Sequence, residues 1–533
     1  MKMAVPGSES DFDLVVVGGG VGGLATAALA QRLGLRTALL EAHTKLGGCA
    51  GYFQRGDFTF DAGATALVGF KPGEPIGDLL AVLGMSFETE TTPSYRVHLP
   101  DRTLDLVPEA PRFEASAIAA FGGTTANAQR RFWRLQEWAG NALLDAAAGV
   151  PRLPLRTGGD LLHDVKILGW RGLVTGTTAL LTTDNVIKTL GLGSDAAFRS
   201  LIAILLQDTA QAGPDVVPFA NAAACIQAYR RGMSRPRGGM RAFAESLGAR
   251  FAALGGDLRT GCLVDRIEPT DVGPERFSVI TRRRDRLRAR HVAMNLPLDL
   301  AAKLLDRVLS ARLARDERKS RAGWSAFTGY VAIDRAAVDD AGPLFHQVLQ
   351  SYDAAIHDGN NVLVSLSPVE DPGYAPTSVR VATMSTHTRP ADWLGLDSQI
   401  YTEKKAIFRD RLLAALARAL PEAPAALVHA EFASPRSFQR YTRRVAGAVG
   451  GAPVTRRNSN FLAVGSDVFG PGLWVVGDSV FPGQGTMATV LSGIRVVERI
   501  AGVSWKSLTQ GTAASVAPTP DQDASLAKVI ADR

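Results

Sequence analysis

Cysteine is almost missing from this chain: three residues in 533, Cys49, Cys225 and Cys262, with no C-x-x-C spacing and no neighbouring His pair. A disulfide scaffold and a structural zinc site are therefore not expected, and a reducing compartment fits best. The eight histidines are scattered without a metal-spaced pair or a triad with Ser and Asp, so structural or surface roles are expected for them. No run approaches the roughly 18–20 uninterrupted apolar residues of a spanning helix. The nearest, residues 167–183, is interrupted by Trp170, Arg171 and several Gly and Thr residues, and is expected to lie on a bilayer rather than cross it. The first 13 residues lack the apolar core of a secretory signal. No helix-turn-helix, zinc-finger or RNP-type aromatic pattern is present, so no nucleic-acid partner is expected.

What is present is a chain of 46% apolar and 21% charged residues, with net charge +7 from 59 Lys and Arg against 52 Asp and Glu. At about 150 residues per domain the length corresponds to about three to four domains. It is long enough to bury roughly three quarters of its unfolded surface. The mild basicity suits a soluble protein or attraction to an anionic membrane surface.

Residues 12–17 form a short apolar β run, residues 18–23 a glycine-rich turn, and residues 21–33 an Ala/Leu-rich helix that Gly34 ends. Residues 36–40 then give a second strand, completing a β-α-β unit. Residues 110–207 read as largely helical. Further on, strands are expected at 258–267 and in a hairpin over 277–295, then at 362–366 and 379–385, with a helix over 402–420. At the end, an apolar strand at 473–477 precedes a glycine-rich turn and a helix over 486–501. The Ser/Thr/Ala/Pro-rich tail is expected to be disordered.

Gly18-Gly19-Gly20-Val21-Gly22-Gly23 satisfies G-x-G-x-x-G. Gly18 permits the tight turn, Gly20 lets a pyrophosphate approach the backbone, and Gly23 lets the helix pack on the strand. The helix N-terminus then offers N–H groups and a positive dipole end to phosphate. Glu41, at the end of the second strand, can accept hydrogen bonds from both ribose hydroxyls of an adenosine and would repel a 2′-phosphate, which disfavours NADP. A second glycine cluster at residues 46–51 and the run 60–65 exceed what a nicotinamide needs. They suit the longer ribityl-isoalloxazine end of a flavin. Asp478 can bond ribityl hydroxyls, and the helix N-terminus at Gly485, Thr486 and Met487 can stabilise negative charge on the reduced ring.

These elements, with Arg237-Gly238-Gly239-Met240 and the terminal GDSVFPGQGTMATVLSG, resemble the carotenoid desaturase and carotenoid cis-trans isomerase family, within the amine-oxidase-like flavoproteins. The likeness runs from about residue 11 to residue 502. Phe58-Thr59-Phe60-Asp61 and Arg440-Tyr441-Thr442 with Gly447 to Gly451 favour the polyene branch. The Phe481-Pro482-Gly483-Gln484-Gly485 run is most similar to the isomerases, whereas Val449-Gly450-Gly451 looks more like 3,4-type desaturases. The resemblance implies FAD contacts at Gly18, Gly20, Gly23, Glu41, Gly48, Gly63, Val264, Asp478 and Met487.

The fold class expected is α/β. A discontinuous Rossmann-type FAD-binding domain takes residues 11–109, 208–300 and 436–502, and a mixed-sheet substrate domain takes 301–435. A helical insertion at 110–207 would serve substrate entry or membrane contact, and the tail would be 503–533. The expected function is flavin-dependent desaturation of a long apolar polyene, a carotenoid. Redox-neutral cis-trans isomerisation and a non-enzymatic isoprenoid-binding chaperone of the same fold are the alternatives. The electron acceptor stays open. Asp208, at the end of an apolar stretch, is the candidate proton acceptor, with a helix cap or a solvated acid as its ordinary reading. Residues 282–290, rich in Arg, are expected to be a solvated hairpin. The expected location is cytoplasmic, with peripheral contact to the inner face of a membrane as a further expectation.

Overall fold

A computed structural model describes residues 9–92, 94–270, 276–321 and 323–513. The first eight residues of the segment read for a secretory signal, and the tail beyond 513, fall outside the described residues.

The chain opens with β1 (Glu9–Val17), α1 (Val21–Arg32) and β2 (Thr37–Leu40). From Leu14 to Val17 in β1, and throughout β2, every side chain is buried, as in a parallel strand covered on both faces. β1 pairs parallel with β2 on one side and with Arg286–Met294 on the other. Beyond β2 lies Asp257–Arg259. Beyond Arg286–Met294 lie the antiparallel Phe277–Thr281 and Val264–Pro269, and Leu473–Val475 pairs parallel with its C-terminal end. The stretch expected as one strand over 258–267 is therefore two. Gly261, at φ +63°, breaks it, and the Gly261 and Cys262 N–H groups turn to the carbonyls of His43 and Glu41 at 2.9 and 2.8 Å.

α1 packs on the helix Thr486–Ala501, joining the two ends of the chain. Their closest approach needs glycine: a Cβ on Gly493 would lie 2.5 Å from Thr26 Oγ1. A second seven-stranded sheet runs in the order Leu427–Ala433, Ser325–Asp334, Val379–Thr388, Asn361–Leu366, Phe345–Leu349, Tyr95–His98, Thr103–Leu106. One apolar core joins this sheet to the helices between residues 110 and 230 and to Ser398–Ala419.

Two expectations change. Tyr95–His98 and Thr103–Leu106 belong to the second sheet, Tyr95–His98 pairing parallel with Phe345–Leu349, although the boundary at 109 grouped them with the first. Tyr95, Val97, Leu104 and Leu106 alternate into the larger core, and that burial decides their sheet. The tail from 503, expected to be disordered, begins with a helix, Trp505–Ala513. Trp505 is 1% exposed and its backbone N–H donates to Glu498 Oε1 at 2.6 Å, so one large apolar anchor outweighs a polar composition.

Candidate functional site

The glycine turn after β1 is shaped by steric limits. A Cβ on Gly23 would sit 2.0 Å from the Gly18 carbonyl oxygen, so the strand–helix approach admits only glycine there, and Gly18 itself has φ +103°. Gly20 faces Asn295, whose amide nitrogen a Cβ would meet at 2.7 Å. Asn295 stands at the end of Arg286–Met294. It donates weakly to Gly18 O at 3.4 Å and also abuts Gly22, Gly23 and Gly477. It is the pillar beneath both ends of the site. The signal in the sequence was only a polar residue closing an apolar strand.

Glu41 follows β2 and curls back over the turn: its Oε2 accepts from Gly19 N and its Oε1 from His43 N, both at 2.6 Å. Val264 is buried two residues beyond Cys262, whose N–H holds the Glu41 carbonyl, so both expected adenosine-side residues lie together. Gly47 N donates to Gly19 O at 2.9 Å, and Gly48 lies against Gly20, its Cβ position 3.1 Å from the Gly20 Cα. Gly63 packs on the Cys49 carbonyl, where a Cβ would come within 2.5 Å. Asp61, just before it, is buried against Arg235 at 2.8 Å and accepts from Met240 N at 2.9 Å, which ties this hairpin to the Arg237–Met240 motif.

Cys49 leads to the C-terminal part. Burial pushes its thiol up, while Arg444 and Asp478 act on it from opposite directions. Asp478 Oδ2 accepts from Arg444 Nη2 at 2.6 Å, and Arg444 Nη1 reaches Gly450 O at 2.7 Å. Arg444 was missed from sequence although it lies between Arg440-Tyr441-Thr442 and Gly447 to Gly451, because nothing local ties it to Asp478. Desolvation works against the charge of Arg444, but Asp478, with Cys49 and Glu317, outweighs it and keeps the partly buried guanidinium charged. The following turn carries Gly477, Gly483 and Gly485, all at positive φ, and Cβ atoms at Gly483 and Gly485 would meet nothing within 4 Å. Open space thus precedes the helix beginning at Thr486, with Met487 against Gly69 nearby.

Neither α1 nor Thr486–Ala501 has a side-chain cap or an acid in its first turn. Two uncapped positive helix ends at successive points of one glycine-lined path suit an extended dinucleotide, pyrophosphate at the first and an anionic ring at the second. The residues present fit a flavin dinucleotide on these grounds.

Gln484 donates to Thr209 O at 2.6 Å and so joins the flavin-side turn to the end of the helix Ala196–Ala210. Asp208 precedes Thr209. It is not a solvated acid and caps no helix start: burial pushes its carboxyl up to about 7, partly offset by Gln347. Its Oδ2 has no hydrogen-bond partner, and its Oδ1 lies 3.4 Å from His387 Nδ1. This pairing brings together two elements far apart in sequence. Residues 282–290 form the expected hairpin, with Arg288 and Arg290 paired to Asp11 and Asp13.

On the outside, the helix Gly158–Thr177 bends at Gly169 (φ 55°) and presents Leu162 (73% exposed) and Trp170 (68%), followed by Leu180 (74%). Lys166, Arg171, Arg456 and Arg457 are exposed nearby, Arg456 donating to Leu180 O at 3.1 Å. Among the described residues no helix is long and apolar enough to cross a membrane.

Residues 16–83 match the family described as NAD(P)-binding Rossmann-like domain, and residues 173–501 match flavin containing amine oxidoreductase. Prolycopene isomerase of Daucus carota is 23% identical, over 93% of this chain and 81% of its own. Phytoene desaturase (lycopene-forming) of Pseudescherichia vulneris is 25% identical, over 90% and 96%. Putrescine oxidase bound to putrescine shares the fold at TM-score 0.60 and 15% identity, over 93% of this chain and all of that one.

Proposed function

Because the chain belongs to the flavin containing amine oxidoreductase family, we propose that it is an FAD-dependent oxidoreductase whose substrate is a long apolar polyene, and that it acts as a carotenoid desaturase. The observation that carries the polyene is that relatives named for prolycopene and phytoene match nine-tenths of the chain. The site supports it, since the groups facing Asp208 beyond Gln484 are uncharged at neutral pH, which suits a hydrocarbon better than a charged amine.

When bound, FAD supplies an acceptor for hydride from an allylic carbon. Glu41 and Val264 hold the adenosine end, and Gly18, Gly20 and Gly23 with the N–H groups of α1 hold the pyrophosphate. Gly48 and Gly63 line the middle. Asp478, steered by Arg444, takes the ribityl hydroxyls. The N–H groups of Thr486 and Met487, preceded by Gly485, hold negative charge at the ring. Asp208 is poised near neutrality to accept a proton from the substrate, as a general base requires.

Redox-neutral cis-trans isomerisation uses the same residues and is favoured by the 93% coverage of this chain by prolycopene isomerase. Anaerobic incubation of the FAD-loaded protein with a cis-polyene and a reductant separates the two. Turnover without an acceptor means isomerase, strict dependence on an acceptor means desaturase, and amine oxidation with no polyene turnover defeats both.

The exposed apolar stretch from Leu161 to Leu181, rimmed by Lys166, Arg171, Arg456 and Arg457, is proposed to seat in one leaflet of an anionic membrane and pass substrate inward. Each basic residue near the surface contributes about 1 kcal/mol at low salt.

A further inference from the structure

Asp208 and His387 keep 16% and 15% of their side-chain surface, yet burial dominates the ionisation of both. Around Asp208 stand Gln347 from Phe345–Leu349, His387 from Val379–Thr388, Tyr95 from Tyr95–His98 and Tyr229 from Phe219–Arg230, with Cys225 beside Tyr229. None of these carries positive charge at neutral pH. Behind His387 stands His357: both imidazoles pack on Trp324, with ring centroids at 5.8 and 5.2 Å. Asp358 N donates to His387 O at 2.8 Å, and His357 Nδ1 lies 2.8 Å from Asp358 Oδ2. His357 is 26% exposed, beside residues 353–355, which are exposed. Asp208, His387 and His357 thus follow one another from the helix Ala196–Ala210 to the partly exposed His357.

We propose that His387 relays protons between Asp208 and the surface at His357, so that Asp208 is returned to its basic form after each turnover. The proposal rests on the desaturase reading. There, one carbon loses hydride with its electron pair to FAD, and the adjacent carbon loses a proton to the Asp208 carboxylate. The pair left by that proton becomes the new double bond. The proton passes from Asp208 Oδ1 to His387 Nδ1, and a proton leaves the far side of the ring toward His357. The two electrons would be taken up by bound FAD, and no other reactant is needed for this half-reaction.

The ionisation of the groups agrees with a neutral relay. His387 is held down to about 4 by burial and by His357, so it stays uncharged at rest and holds a transferred proton only briefly. At the pH where it would gain a proton in the resting protein, Asp208 is already neutral and gives its cation no support.

Two measurements test this. In the FAD-loaded protein acting on a polyene, Asp208→Asn is expected to lower kcat about 10²-fold or more. His387→Gln should lower kcat about tenfold with KM unchanged and alter the pH–rate profile, and added imidazole should restore part of the rate. A wild-type pH profile and rate in His387→Gln would overturn the relay. In the apoprotein, histidine NMR should give a His387 titration that moves up in His357→Gln and stays in place in Asp208→Asn, since Asp208 is already neutral at that pH. A His387 titration indifferent to His357→Gln overturns the relay without any substrate. A wild-type protein that turns over no polyene while this coupling is present overturns the desaturase reading instead.

Discussion

Replacing Asp208 with Asn removes a carboxylic acid held at about 7 in the fold, against about 3.9 in an unfolded chain. Between those values the native chain binds more protons than the unfolded one. The stability Asp208 contributes is therefore fully present below about pH 4 and is lost as pH rises through about 7. Three units at about 1.4 kcal/mol each make the charged group cost about 4 kcal/mol at pH 8, and about 1.5 kcal/mol at pH 5. Asn keeps the shape and carries no such cost. Its advantage over Asp should therefore grow by about 2.5 kcal/mol between pH 5 and pH 8. At about 2.1 cal/mol/K of unfolding entropy per residue, a chain of this length loses about 1 kcal/mol per degree. The Tm gap between variant and wild type should widen by about 2.5 °C over that interval. Calorimetry of the apoproteins at one scan rate measures it, and the His387 contribution, common to both proteins, cancels. A gap that stays constant from pH 5 to pH 8 would mean that Asp208 titrates as an ordinary surface acid, and the account of this end of the site would be wrong.

Arg444→Ala leaves the partly buried Asp478 carboxylate without its cation, a change bounded by the about 3–5 kcal/mol of breaking a fully buried pair. FAD affinity, read by flavin fluorescence, should fall at least about tenfold, and unchanged affinity would remove Arg444 from the site. Leu162→Asp combined with Trp170→Asp should keep the protein in the bottom fraction when floated with anionic liposomes at low salt, whereas wild type should rise. Flotation of both alike would reject the proposed surface. Trp505→Ala empties a buried aromatic site, worth about 3–5 kcal/mol, and should lower Tm by about 3–5 °C. An unchanged Tm would mean that the helix Trp505–Ala513 does not dock.

Local rules reached far in this chain. The β-α-β unit and the helix Thr486–Ala501 were legible because short glycine turns and apolar periodicity decide them within a few residues. What escaped is what depends on distant partners. Asn295 looks like any polar residue after a strand until Gly18, Gly20, Gly22, Gly23 and Gly477 close around it. Arg444 gains meaning only when its loop meets Asp478, and His387 only when Val379–Thr388 is laid beside the helix ending in Ala210. Tyr95–His98 carries the same alternation whichever sheet it joins, so its pairing with Phe345–Leu349 could not be read from pattern. Trp505 was hidden by the composition around it, because an average over the tail dilutes a single anchor.

The most direct test is the anaerobic addition of a polyene to the purified flavoprotein, following the flavin absorption band and the pigments together. Bleaching of the band in step with the appearance of a product carrying one more double bond is the predicted result. A band unmoved by every polyene but bleached by an amine would contradict the account.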